Sequence, residues 1–218
     1  MNITEAKEYL CQWARVLAED GTVPKSGGIM SCRAGDKMII TTAGMDLTGA
    51  IPENLAVVDI ATGNPEEGTM LPEAASLHAA VYGKKKKFSA LIHTEQLNVV
   101  TSSRAGKTVY PMLDDLAQIA GATVRVAAYQ LPAEKKAIRS VLRALKRRSG
   151  VLLKDHGALC GAGNFDDAHA VAQVMEKGCK TFIETSFLGG GVKINAIECN
   201  LMRFVYVLKY SKADETNR

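Results

Sequence analysis

Phe88-Ser89-Ala90-Leu91-Ile92-His93-Thr94-Glu95 is the stretch around which the chain organises itself. Its first five residues form a short, largely apolar run that reads as a buried strand. It closes on His93 and Glu95, and residues two apart on a strand face the same way. A second apolar run, Val151-Leu152-Leu153, leads into Asp155-His156-Gly157 and supplies another imidazole. Two imidazoles and a carboxylate hold a divalent metal and leave a position open for substrate. The set His93, Glu95 and His156 suits Zn²⁺, and equally Fe²⁺ or Mn²⁺. Glu73, in Leu71-Pro72-Glu73, is placed to serve as a base if these segments converge.

The bulk properties leave room for such an enzyme. A chain of 218 residues, 47% hydrophobic and 23% charged, suits one domain with a substantial core, so the whole of 1–218 is read as a single unit. The net charge of +4 permits anionic small molecules without demanding nucleic acid. Lys84–Lys87 and Lys146-Arg147-Arg148 are basic, but lack the interleaved aromatics of a nucleic-acid surface. No apolar stretch is long enough for a bilayer, and Met1–Glu5 has no signal-peptide pattern, so the expectation is a cytoplasmic protein. Five scattered cysteines without a Cys-x-x-Cys pair point to reduced, buried thiols.

Periodicity fills in the rest. Helices are expected over 4–18, from Pro72 to Tyr82, and over 112–120, 133–148, 165–186 and 195–211. Strands are expected over 29–33, 37–41, 55–60, 88–92, 124–128 and 151–153. Gly35-Asp36 joins the first two strands as a turn. The reading is an α/β domain with helices on the faces of one sheet.

In this order the segments resemble the class II aldolase/adducin family. Gly28-Ile29-Met30-Ser31-Cys32-Arg33 looks like its Gly-Asn-x-Ser-x-Arg. Ile40-Thr41-Thr42-Ala43-Gly44 looks like its Ile-Thr-Pro-Ser/Thr-Gly. Glu73, ahead of His78 and Tyr82, is similar to the glutamate of its Ser-Ser-Glu-x-x-x-His. His93-Thr94-Glu95 resembles its His-x-His, and Lys154-Asp155-His156-Gly157 its Asn/His-His-Gly. The resemblance implies a three-layer α/β fold, with a central, mainly antiparallel sheet flanked by helices, in a homotetramer. It implies retro-aldol cleavage of a sugar or sugar phosphate at a zinc ion, which acts as a Lewis acid. It assigns His93, Glu95 and His156 to the metal, Glu73 and the late Tyr210 to catalysis, and Gly28, Ser31 and Gly44 to substrate.

The departures cluster. Ile29 replaces the family asparagine, Ala43 a hydroxyl residue, and Leu71-Pro72 the serine pair. Each removes a donor that the resemblance aims at phosphate, at roughly 1.5–3 kcal/mol per charge-assisted bond. The usual sugar-phosphate site is therefore expected to be absent or rebuilt. Glu95 in place of histidine adds negative charge and weakens the metal as a Lewis acid. Two other readings stay open: a catalytically inactive, adducin-like interaction protein, and a phosphosugar 4-epimerase. His78 reads as packed beneath the site, and His169 as structural.

Overall fold

The computed structural model describes residues 1–66, 70–131 and 133–216, with side chains described as far as 209. Seven strands form one sheet: β1 (Ile29–Ala34), β2 (Lys37–Thr41), β3 (Leu55–Asp59), β4 (Ala90–Thr94), β5 (Val126–Ala127), β6 (Gly150–Leu153) and β7 (Ala158–Ala162). They lie in the order β3-β2-β1-β4-β7-β6-β5. All pairs are antiparallel except β5 with β6. The helices are α1 (Ile3–Glu19), α2 (Ala75–Lys84), α3 (Leu97–Ala105), α4 (Lys135–Ala144), α5 (Phe165–Phe187) and α6 (Ala196–Thr216). A π-helical turn over Leu116–Ala120 stands where the short helix was expected.

Alternation along the strands sends side chains to two separate cores. Met30, Cys32, Ala90 and Ile92 pack with α1 and α5 on one face. Met38, Ile40, Leu91 and Val151 pack with α2 and α4 on the other. This is the three-layer arrangement expected from the sequence. Asn2 caps α1: its side chain accepts from the Glu5 N–H, while Glu5 accepts from the Asn2 N–H, both at 2.9 Å. All five cysteines are free and buried. No helix among the described residues is long and apolar enough to cross a membrane.

Two elements go beyond the sequence reading. β7 is the strand that joins β4 to β6, and Ala-Leu-Cys-Gly-Ala is a poor strand signal on propensity alone. Gly161 explains its composition: a Cβ there would lie 2.6 Å from both Leu91 and Phe88 side chains. The helix α3 carries Thr101, Ser102 and Ser103, which blur its apolar periodicity. Pro72 sits in the turn before α2, not in its first turn; the Ala75 N–H donates to the Pro72 carbonyl at 2.9 Å.

Candidate active site

The register brings the singled-out segments to one edge of the sheet. β4, β5 and β6 run in one direction and end at this edge; β1 begins there, and β2 ends there. Gly28, Thr42–Gly44, His93–Glu95 and Lys154–Gly157 thus neighbour one another, and Ile29 pairs with His93.

The Lys154–Gly157 turn is held against the end of β4. The Leu153 N–H donates to the Gly157 carbonyl at 2.8 Å, and the His156 N–H to the Leu153 carbonyl at 2.9 Å. Asp155 and Gly157 both have positive φ, 66° and 72°. Aspartate tolerates this region better than most residues. At Gly157 a side chain would run into the carbonyl of Thr94. This contact carries His156 to His93.

His93 is buried, and its Nε2 lies 2.8 Å from the His156 carbonyl oxygen. A carbonyl only accepts, so Nε2 carries the proton and Nδ1 keeps its lone pair. That Nδ1 is buried and has no hydrogen-bond partner. Burial pushes the His93 pKa down; the His156 carbonyl and the charge of Glu95 act the other way, and His156 adds a smaller push down. A metal-ligating histidine has this arrangement, with its outer nitrogen fixed by a carbonyl and the other left bare. Glu95 is exposed just past the strand, and His156 is half-buried. Among the described residues no three His, Cys, Asp or Glu side chains are drawn into a metal cage. The residue types suit a divalent cation, and His93 offers it an oriented, unpartnered nitrogen.

Sequence reasoning missed Tyr129. It follows β5 and is buried, with ring centroids 5.3 Å from His156 and 6.3 Å from His93. Its hydroxyl has no partner. Burial and then the charge of Glu73 raise its pKa well above the ordinary phenol, so it stays protonated. Nothing in Ala128-Tyr129-Gln130 marks it in the sequence; only the return of β5 beside β6 brings it to the imidazoles.

Glu73 is exposed and lies one residue before Ala74, the N-cap of α2. The family glutamate precedes its histidine by four residues, whereas Glu73 precedes His78 by five, and the residue four before is the buried Ala74. Glu73 still exerts its charge on Tyr129.

Ser31 does not face substrate. It is fully buried, with its hydroxyl 2.8 Å from His78 Nδ1 and 3.0 Å from the Tyr82 hydroxyl, which itself donates to the Ser31 carbonyl. His78 is packed beneath the site, as expected. Arg33 stands at the far end of β1 and donates to the carbonyls of Tyr82 and Phe88 at 2.7 and 3.2 Å. Gly28 is buried, where a Cβ would lie 2.5 Å from the Pro24 carbonyl oxygen. Gly44 is exposed and turns with φ 72°. The cavity beside Gly44, about 450 Å³, is lined by Asp46 and Glu53 and, among the described residues, by no cation. His169 pairs with Asp20 at 2.7 Å. The side chain of Tyr210 lies outside the described residues.

Burial pushes the His78 pKa from 6.5 down to about 3. The folded chain therefore refuses a proton that the unfolded chain takes up. This contribution to stability is complete above about pH 6.5 and is lost as pH falls toward 3. Between pH 7 and 5 it amounts to about 2 kcal/mol. Urea denaturation at the two pH values measures it, and His78→Gln is expected to flatten the dependence.

A family model described as Class II Aldolase and Adducin N-terminal domain matches residues 8–183. A 5-deoxy-D-ribulose 1-phosphate aldolase of Bacillus thuringiensis serovar kurstaki is 25% identical over 192 residues, covering 87% of this chain and 89% of the relative. A methylthioribulose-1-phosphate dehydratase of Pectobacterium carotovorum is 27% identical over 179 residues, covering 76% and 86%. A solved L-fuculose 1-phosphate aldolase superposes with TM-score 0.85 at 26% identity, covering 93% of this chain and 96% of that one.

Proposed function

The chain belongs to the Class II Aldolase and Adducin N-terminal domain family, and on that premise we propose that it is a metal-dependent lyase cleaving a small sugar or sugar phosphate by a retro-aldol step. The observation that carries this reading is His93, with Nε2–H held by the His156 carbonyl and a bare Nδ1. His93, Glu95 and His156 would hold Zn²⁺ or another divalent ion, which supplies Lewis-acid stabilisation of negative charge on the substrate oxygens. Glu73 takes the proton of the substrate hydroxyl as the carbon–carbon bond breaks, an aldehyde leaves, and Glu73 returns the proton to the carbon left with the electron pair. Tyr129, kept protonated, donates a hydrogen bond to a substrate oxygen. Tyr210 is assigned to catalysis by the resemblance alone, and Gly28 and Gly44 shape the loops beside His93.

Tyr129→Phe separates function from folding. The hydroxyl has no partner, so its removal is expected to leave stability unchanged or higher by about 1 kcal/mol. Turnover is expected to fall roughly 10²–10³-fold, as for loss of one hydrogen-bond donor to a developing oxyanion. Aldehyde release from 5-deoxy-D-ribulose 1-phosphate and L-fuculose 1-phosphate, with and without added Zn²⁺, tests the activity. Metal-dependent release supports the reading; no release from either, with metal bound, turns it toward a non-catalytic member.

The apolar stretch that ends α5 and runs along α6 supports a homotetramer. Phe187, Leu188, Val192 and Ile197 are 84–92% exposed, apolar surface of the kind that subunit contacts cover. Light scattering on the eluting protein checks the assembly. The unpaired thiols agree with a cytoplasmic location.

A further inference from the structure

Other cationic or apolar cavities lie away from the loop at Gly44, and their positions separate them. One, around Arg33 and Lys84, lies at the sheet edge away from His93. Its arginine is committed to two carbonyls. A second, around Arg125, Arg148 and Arg203, also lies at that far edge. Arg148 and Arg203 there spend their donors on carbonyls and hydroxyls of the fold. The third opens at the active edge.

This cavity, about 530 Å³, lies between α4 and the end of β5. Its volume falls in the range of small-ligand sites. Lys136, Arg139 and Arg143 stand at helical spacing along α4, and Lys154 faces them from the turn that carries His156. Among the described residues, Glu134 is the single carboxylate in the lining, against these four cations. None of the four has an ion-pair partner among the described residues. Tyr129, with its unpartnered hydroxyl, is the buried polar residue of the lining and stacks edge-on to His156. On the other side of His93, the loop at Gly44 presents Asp46 and Glu53. The electrostatic gradient across the site therefore runs from negative at β2 to positive at β5.

We propose that the cavity between α4 and β5 is an oxyanion subsite that seats the phosphate end of the substrate, with Arg139, Arg143 and Lys154 as its principal donors. Arginine forks match phosphate oxygens, and Lys154 adds a mobile point charge. A substrate lying across Tyr129 then presents its carbonyl and hydroxyl to the imidazole side and its anionic end to α4. The orientation rests on the lyase reading; the anion site does not.

Inorganic phosphate is the probe, titrated calorimetrically into protein stripped of metal by a chelator. Saturable binding is expected. Arg139→Gln/Arg143→Gln should weaken it about tenfold or more, since each charge-assisted bond contributes roughly 1.5–3 kcal/mol. Both side chains are exposed, so the fold should tolerate the change. Lys154→Gln, on the opposite wall, is a second and independent variant with the same expected direction. Arg147→Gln at the far-edge cavity should leave binding unchanged. Malonate should bind at least about tenfold more weakly; equal affinity would overturn the assignment to phosphate. Wild-type affinity in both active-edge variants, or loss confined to Arg147→Gln, would overturn the subsite. Neither result bears on aldehyde release, and a failed cleavage assay leaves the phosphate titration standing.

Discussion

Gly157→Ala is expected to destabilise the protein by about 3 kcal/mol or more. Two costs add at this position. The backbone has φ 72°, where an L side chain costs roughly 1–2 kcal/mol. The new methyl also meets the Thr94 carbonyl, with the Glu95 Cα 3.3 Å away. These neighbours are backbone atoms of a central strand and its exit, so relief requires the turn to move. Movement of the turn would pull the His156 carbonyl from His93 Nε2, so the variant should lose activity as well as stability. Thermal unfolding should shift down by roughly 6–12 °C for a chain of this size. A shift of about a degree or less would show that the turn is loosely seated and that His156 is not positioned by it. Gly44→Ala is the comparison: φ is similar, but nothing lies within 4 Å of the added atom, so only the conformational cost should appear.

His93→Ala is expected to abolish turnover, with metal affinity reduced roughly a hundredfold or more, while stability changes far less. The loss of affinity follows from removing an oriented, unpartnered nitrogen at the end of β4, next to the His156 turn; disturbing even an outer partner of a metal ligand costs 10–100-fold. Stability loses one hydrogen bond to the His156 carbonyl and the packing of one ring against Tyr129, on the order of 1–3 kcal/mol. Metal-stimulated aldehyde release and urea denaturation on the same preparation separate the two effects. Unchanged metal-stimulated turnover in the variant would remove His93 from the site.

The strongly patterned parts of the fold were legible in the sequence. Apolar periodicity gave α1, β1, β2, β4 and α5 within a few residues, because each buries one regular face. β7 was not legible: a central strand squeezed between β4 and β6 is built from small residues, and Gly161 is there for the Leu91 and Phe88 side chains, not for strand propensity. The imidazole pair was legible because His93 and His156 each close an apolar run. Tyr129 was not, since its role arises from the parallel return of β5, a tertiary event with no local mark. Ser31 was assigned to substrate by its place in the motif; the strand turns its side chain inward onto His78 and Tyr82.

The most direct test of the metalloenzyme reading is a Zn²⁺ titration of chelator-treated protein, followed by calorimetry and by metal content after gel filtration. Retention of about one Zn²⁺ per chain, lost in His93→Ala and weakened in Glu95→Ala, is the expected result. Wild-type protein that retains no Zn²⁺, Fe²⁺ or Mn²⁺ under the same conditions, or His93→Ala protein that retains as much as the wild type, would contradict it.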